Sequence, residues 1–202
     1  KAVTFSHDSS CLAYVGWGSK QIVLLNLQGN AIDTLEVEGK CGGNFDLCWL
    51  PLNDSSALLA YNSTYADKIT LYALKKNGTW SFESKDPLYS IPISTRIHGT
   101  IAMGHNPTIL FHLDFDGLNI IDVTEQKVFK EIEVSNWGKV LRSPDGSKLV
   151  WGSDNQVVFF DFEKNELLGS DGAGGYRNKC CGHHPAGNIF VIARKHEGRN
   201  RL

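Results

Sequence analysis

Apolar residues in this chain come in short bursts, each closed by Gly, Asn, Asp, Ser or Pro. The clearest stretch runs from Lys139 to Ser170. Within it, Lys139 to Ser143, Lys148 to Gly152, Val157 to Asp161 and Glu166 to Ser170 each read as a strand, and S-P-D-G fills the first gap. Runs too short for a helix and bounded by turn formers predict strands joined by tight hairpins. Asp bonds its own backbone, Gly accepts a positive φ, and Pro presets the first torsion of the turn. Alternation is cleanest from Lys127 to Val134, where Val128, Lys130, Ile132 and Val134 face one way and Phe129, Glu131 and Glu133 the other. No segment carries a convincing helical period, so the pattern predicts an all-β chain.

The same template returns along the sequence. Third strands are expected at Ile22 to Leu27, Ile69 to Leu74, Asn119 to Val123 and Val157 to Phe162. Fourth strands follow at Ala31 to Val37, Lys127 to Val134 and Glu166 to Ser170; the second repeat offers either Trp80 to Glu83 or Tyr89 to Ile93. The turn phrase recurs as F-S-H-D-S-S-C-L from Phe5, L-N-D-S-S-A-L-L from Leu52, G-H-N-P-T-I-L from Gly104, S-P-D-G-S-K-L from Ser143 and H-P-A-G-N-I-F from His184. Aligned on Asp8, Asp54, Asn106, Asp145 and Ala186, the steps are 46, 52, 39 and 41 residues. Such a period, with only strand-like material inside it, marks β-sheets repeated around an axis.

The expected fold is therefore an all-β propeller of four-stranded antiparallel blades, with about four and a half blades present. The blades are placed at approximately 1–38, 39–94, 95–134, 135–171 and, incomplete, 172–202. A propeller closes by packing its last sheet on its first, and a partial ring leaves an apolar flank open, so a fragment of a larger propeller is expected. In the second repeat the long segment from Lys75 to Ile93 contains Asp86-Pro87 and Ile91-Pro92, each of which interrupts a strand ladder.

This pattern resembles the WD-repeat family along the whole chain. The best match is S-P-D-G-S-K-L-V-W-G-S-D-N-Q-V-V-F-F-D from Ser143 to Asp161, where Phe160-Asp161 stands in place of the family's Trp-Asp pair. Ile121-Asp122 is next, Leu25-Asn26 and Tyr72-Ala73 lack the Asp, and no Gly-His pair stands between blades. With strands labelled a to d from the axis outward, the resemblance implies that the b–c and d–a connections share one face around a central channel. That face would carry Trp17, Lys20, Tyr65, Lys68, Arg96, His98, Asp114, Asp116, Asn136, Trp137, Tyr176, Arg177, Lys179, His196 and Arg199. Loops on a rigid scaffold concentrate binding residues, and Tyr, Trp and Arg dominate interface hot spots. Partner contacts are accordingly expected at Trp17, Tyr65, Arg96, His98, Trp137, Tyr176 and Arg177. The function implied is a protein-interaction scaffold that docks a protein or peptide on this face and has no chemistry of its own. The alternative is the substrate-gating or substrate-binding propeller of a multidomain enzyme such as a hydrolase.

Composition narrows these readings. A net charge of −2 lacks the basic footprint of a dedicated duplex binder. Binding of nucleic acid or phosphoinositide through Lys20, Lys40, Arg96, Arg177, Lys179, Lys195 and Arg199 is therefore a minor expectation. Cys11, Cys41, Cys48, Cys180 and Cys181 are odd in number and irregularly spaced, and the last two are adjacent, which favours a reducing compartment. A cytoplasmic location is expected, with the nucleus second. Sequons at Asn53, Asn62 and Asn77 are near the number that chance gives. No apolar run approaches the ~18 residues that span a bilayer.

Other chemistry-bearing motifs resolve into structure. D-G-A-G-G-Y-R-N-K from Asp171 lacks the strand-to-helix setting of a phosphate loop and reads as a long d–a connection. Cys180, Cys181, His183 and His184 include adjacent residues, which point to opposite faces of a strand and converge poorly on one ion. Asp114-Phe115-Asp116-Gly117 has no further ligands at calcium-loop spacing and reads as a hairpin turn. No G-x-S-x-G elbow occurs, and carboxylates are not paired at a repeated loop position. No catalytic residue, metal site or cofactor is expected.

Overall fold

The computed structural model describes residues 2–16, 18–37, 45–63, 67–93, 100–104, 106–113, 117–133, 140–143, 147–152, 156–162, 164, 166–172, 176–183 and 190–196, the last two segments by their backbone. Strands β1 (Ala2–Phe5), β2 (Cys11–Val15), β3 (Gln21–Asn26) and β4 (Ala31–Glu36) form the first sheet. The second contains β5 (Phe45–Asn53), β6 (Ser56–Ser63), β7 (Lys68–Asn77), β8 (Thr79–Phe82) and β9 (Tyr89–Pro92). The third has β10 (Thr100–Met103), β11 (Ile109–Leu113), β12 (Leu118–Asp122) and β13 (Lys127–Ile132). The fourth has β14 (Val140–Arg142), β15 (Lys148–Gly152), β16 (Gln156–Asp161) and β17 (Glu166–Gly172). A fifth sheet pairs β18 (Tyr176–His183) with β19 (Phe190–His196). All pairings are antiparallel, and the described residues contain no helix long and apolar enough to cross a membrane.

The turns form for local reasons that repeat. Ser6 N–H donates to the Cys11 carbonyl at 2.8 Å while Ser6 Oγ accepts from Cys11 N at 2.9 Å; Ser143 and Lys148 make the same pair of bonds. Asp8 Oδ1 accepts from Ser10 N, and Asn106 Oδ1 from Thr108 N, so each carboxylate or amide closes its own turn. In the second repeat this acceptor is Asn53, which bonds Ser55 N at 2.9 Å, rather than the adjacent Asp54. The hairpin there is tighter, with Asn53 paired directly to Ser56.

The positions aligned with the family's Trp-Asp pair cap the next turn. Asn26 Oδ1 accepts from Gln28 N and Asn30 N, Asp122 Oδ1 from Thr124 N and Glu125 N, and Asp161 Oδ1 from Lys164 N. One residue earlier the c–d ladder carries a register shift in all three sheets, between Leu24 and Leu25, Ile120 and Ile121, and Phe159 and Phe160. Ala73 breaks the rule because β7 runs on to Asn77 and turns at Gly78, whose φ of 76° suits glycine.

The sheets stack face to face around an axis, with β1 beside β5, β5 beside β10 and β10 beside β14. One apolar layer joins the first two sheets through Ala13, Ile22, Leu24, Trp49, Leu59 and Trp80. A second joins sheets two and three through Leu50, Ala60, Leu71, Leu110 and Ile121. A third places Phe111, Leu118, Trp151 and Phe160 between sheets three and four. Burial of this kind is worth roughly 1.5–3 kcal/mol per large side chain. The architecture is a β-propeller of antiparallel blades. Because strands alternate in direction, the b–c and d–a connections gather at one end of the stack and the a–b and c–d turns at the other.

Candidate functional site

The second blade departs from its neighbours in a way that shapes its surroundings. Its outer strand is split: β8 pairs with the far half of β7, from Leu74 to Asn77, and β9 pairs with the near half, from Lys68 to Leu71. The two segments that compete for one strand position in the sequence thus both occupy it. Pro92 is accommodated because β9 is an edge strand. Between them the chain from Glu83 to Leu88 leaves the ladder and returns, held by Glu83 N to the Ala73 carbonyl and Leu88 N to the Leu71 carbonyl.

This excursion reaches the first blade. Lys85 Nζ donates to Asp33 Oδ1 and to the Thr34 carbonyl, and lies 5.2 Å from the centre of the Phe82 ring. Asp33 also accepts from Phe82 N at 2.9 Å and from Thr34 N at 2.8 Å. Burial pushes the Asp33 carboxyl up, but the Lys85 ammonium and the two backbone N–H groups outweigh it and hold the group below its ordinary range.

A cleft of about 210 Å³ lies between the two blades, lined by Glu36, Tyr61, Ser63, Lys68, Thr70, Tyr72, Lys85, Asp86 and Pro87. Glu36 ends β4, Ser63 ends β6 and Lys68 begins β7, so it sits toward the end of the stack that bears the b–c and d–a connections. Tyr61 and Tyr72 are buried and form its aromatic base. The rim carries both charge signs, with Glu36 and Asp86 against Lys68 and Lys85. Its far wall is braced by Asp86 N donating to Ser84 Oγ at 3.0 Å.

The opposite end of the same interface is a polar clamp. Asp8 accepts from Ser6 Oγ at 2.6 Å, Ser10 Oγ at 2.9 Å, Lys76 Nζ at 2.6 Å and Trp80 Nε1 at 3.2 Å. Trp80 packs edge-on against Trp49 and against His7. Burial alone would raise the Asp8 carboxyl, but the bonds from Lys76, Ser6 and Ser10 hold it well below the usual carboxylate range. The interface is therefore fixed at one end by a clamp and hollow at the other.

Comparison with known folds bears on the architecture. Hydrazine synthase of Kuenenia stuttgartiensis superposes with a TM-score of 0.74 at 16% sequence identity, over 96% of this chain and 55% of that one. The Cps50 (Swd1) β-propeller domain of Myceliophteria thermophila gives 0.68 at 14% identity, over 96% of this chain and 61% of that one. The likeness is one of fold. The chain spans between half and two thirds of the length of either neighbour. No family model matches the chain, and no curated protein matches it in sequence.

Of the residues expected to contact a partner, Trp17, Tyr65, Arg96, His98 and Trp137 lie outside the described residues, as do Asp114, Asp116, Asn136 and Arg199. Tyr176 and Arg177 are strand residues, not loop residues, and stand opposite His196 and Lys195. The expected long connection is short because β17 continues through Gly172 and β18 starts at Tyr176. Cys180, Cys181 and His183 are consecutive ladder positions on β18 or nearly so, and His184 lies outside the described residues. Gly117 is required by space: a Cβ there would sit 2.5 Å from the Ile132 carbonyl oxygen. Sequence reasoning placed Lys68 on this end of the stack but missed Glu36, Tyr61, Tyr72 and the excursion. The signal for the excursion was the excess length between Lys75 and Ile93.

Proposed function

We propose that this chain is part of a WD-repeat-like propeller that works as an interaction scaffold, docking a protein or peptide partner and catalysing no reaction itself. The observation that carries this reading is the cleft between the first two blades. It offers a buried tyrosine base, hydroxyls at Ser63 and Thr70, and a rim of mixed charge, at the end of the stack where the b–c and d–a connections meet. Aromatic groups in a recess ringed by polar residues suit a peptide side chain inserted from above, with the rim charges setting register. Buried free thiols at Cys11 and Cys48 fit a reducing compartment, in keeping with a cytoplasmic protein.

The test is selection of peptides from a displayed library on the purified protein, followed by affinity measurement on a rim variant. Charge reversal at both Glu36→Lys and Lys68→Glu should weaken the selected peptides by at least about tenfold while leaving the circular dichroism spectrum unchanged. Peptides that bind the reversed rim equally well would remove the cleft from the proposal. Loss of binding in Trp137→Ala, Tyr176→Ala, Arg177→Ala combined would instead move the docking site to the later blades.

A second reading is favoured by the likeness to hydrazine synthase. In it the propeller would be the substrate-gating part of a multidomain enzyme, and a catalytic domain encoded beside this segment is the observation that would select it.

A further inference from the structure

Only one asparagine in the chain is followed by glycine, in Asn77-Gly78, and it stands at the tip of the hairpin between β7 and β8. Asn77, Gly78 and Thr79 are exposed, and Asn77 pairs with Thr79 across the tip. Gly78 has a φ of 76°, and a Cβ placed on it would meet nothing within 4 Å, so the approach to its nitrogen is open. Asparagines in three other turns are held or blocked. Asn26 and Asn53 commit their carboxamide oxygens to turn N–H groups and precede Leu27 and Asp54, whose side chains crowd the following nitrogen. Asn106 precedes Pro107, which has no N–H.

We propose that Asn77 is a site of spontaneous deamidation, and that its isoaspartyl product loosens the junction between the first two blades. The Gly78 backbone nitrogen, giving up its proton to solvent, attacks Cγ of Asn77; ammonia leaves with a proton taken from water, and a cyclic imide closes. Water then opens the imide at either carbonyl. Opening at the side-chain carbonyl gives an aspartyl residue, and opening at the main-chain carbonyl gives an isoaspartyl residue, whose backbone runs through the former side chain. An amide and a water are consumed, a carboxylic acid and an ammonia are formed, and nothing is oxidised or reduced.

The position matters because the residues flanking the tip are the ones that hold Asp8. Lys76 and Trp80 stand opposite each other in the ladder, and Lys76 Nζ and Trp80 Nε1 bond the Asp8 carboxylate at 2.6 and 3.2 Å. An isoaspartyl residue inserts a further carbon into the main chain between Lys76 and Gly78, so the hairpin cannot keep both its present tip and the Lys76–Trp80 register. Either product also sets a carboxylate beside Lys76 that competes with Asp8 for the ammonium. The site is independent of the docking cleft, which lies at the other end of the junction.

The test needs no substitution. The protein, purified at the length in which the cell makes it, is incubated folded at physiological temperature and mildly basic pH, and its peptides are mapped by mass spectrometry, with enzymatic carboxyl methylation to mark isoaspartate. Asn77 should convert at least about tenfold faster than Asn26 or Asn53. The isoaspartyl fraction, separated chromatographically from the parent and from the aspartyl product, should unfold at a lower temperature than either. Conversion at Asn77 no faster than at Asn53, conversion that requires prior denaturation, or a glycan on Asn77 that blocks loss of the amide would overturn the site. An isoaspartyl fraction as stable as the aspartyl one would overturn its effect on the junction.

Discussion

Replacing Asp8 by Ala removes the acceptor that ties the a–b turn of the first blade to the outer strands of the second. Trp80 is 1% exposed, and its indole N–H would lose its bond to a charged acceptor, at about 1–3 kcal/mol. The turn loses the bonds from Ser6 and Ser10, worth about 0.5–1.5 kcal/mol each at most. The Lys76 pair, with side chains 30% and 23% exposed, adds about 0–1 kcal/mol. These groups share one carboxylate and do not add, so the expected loss is about 2–4 kcal/mol. Urea unfolding followed by tryptophan fluorescence and circular dichroism would read it. A double-mutant cycle with Trp80→Phe isolates the indole bond, with an expected coupling of about 1–2 kcal/mol. Asp8→Asn keeps an acceptor oxygen but drops the charge, and should fall between Asp8→Ala and the parent. A loss below about 0.5 kcal/mol for Asp8→Ala, or a cycle with no coupling, would refute the claim that this residue joins the blades.

Three further outcomes follow from the same geometry. Asp8 and Asp33 both titrate below their unfolded value of about 3.9, so their contribution is complete above that pH and is lost as pH falls toward their folded values. Unfolding free energy should hardly change between about pH 7 and 5 on their account and drop below about pH 4, with a shallower drop in Asp33→Asn. Gly104→Ala should cost about 1–3 kcal/mol by overpacking, read from the thermal midpoint, because a Cβ there would lie 2.6 Å from Ile109 Cγ2 and 2.7 Å from Phe111 Cε2. Burial pushes the thiol of Cys11 up to about 11 and that of Cys48 up to about 12, with the Asp8 and Asp46 charges adding to it. Neither should be alkylated at pH 8 faster than the protein unfolds, by site-resolved mass spectrometry.

What the sequence discloses and what it conceals divide along the range of the interactions. The cap at Asn106, the turn from Ser143 to Lys148 and the bulge before Asp161 depend on bonds between residues at most ten apart, so a repeated phrase reports them. Propensity and turn chemistry are local, and so is the evidence for them. The clamp at Asp8 joins residues 68 and 72 positions apart, and nothing near Asp8 announces Lys76 or Trp80. The cleft is less legible still, because it exists only where an excursion in one blade meets the outer strand of another. Asp86-Pro87 marks the interruption, but its contact with the first blade rests on Lys85 finding Asp33, a pairing that alignment of repeats does not contain.

The interfaces also differ more than the blades do. Between the first two blades the polar links include Asp8 with Lys76 and Trp80 and Asp33 with Lys85 and Phe82 N; between the second and third they include Asp46 Oδ2 with Ile101 N, and Tyr89 Oη with the Val123 carbonyl. Between the third and fourth, Phe111 meets Phe160 and Phe162. Repeats held together by interchangeable apolar faces could stack in more than one order, and polar contacts particular to each junction discriminate against the wrong neighbours. On that argument Asp8 and Lys85 do more than add stability. They select the second blade as the neighbour of the first, the Asp8 clamp at one end of the junction and the Lys85 pair beside the cleft at the other.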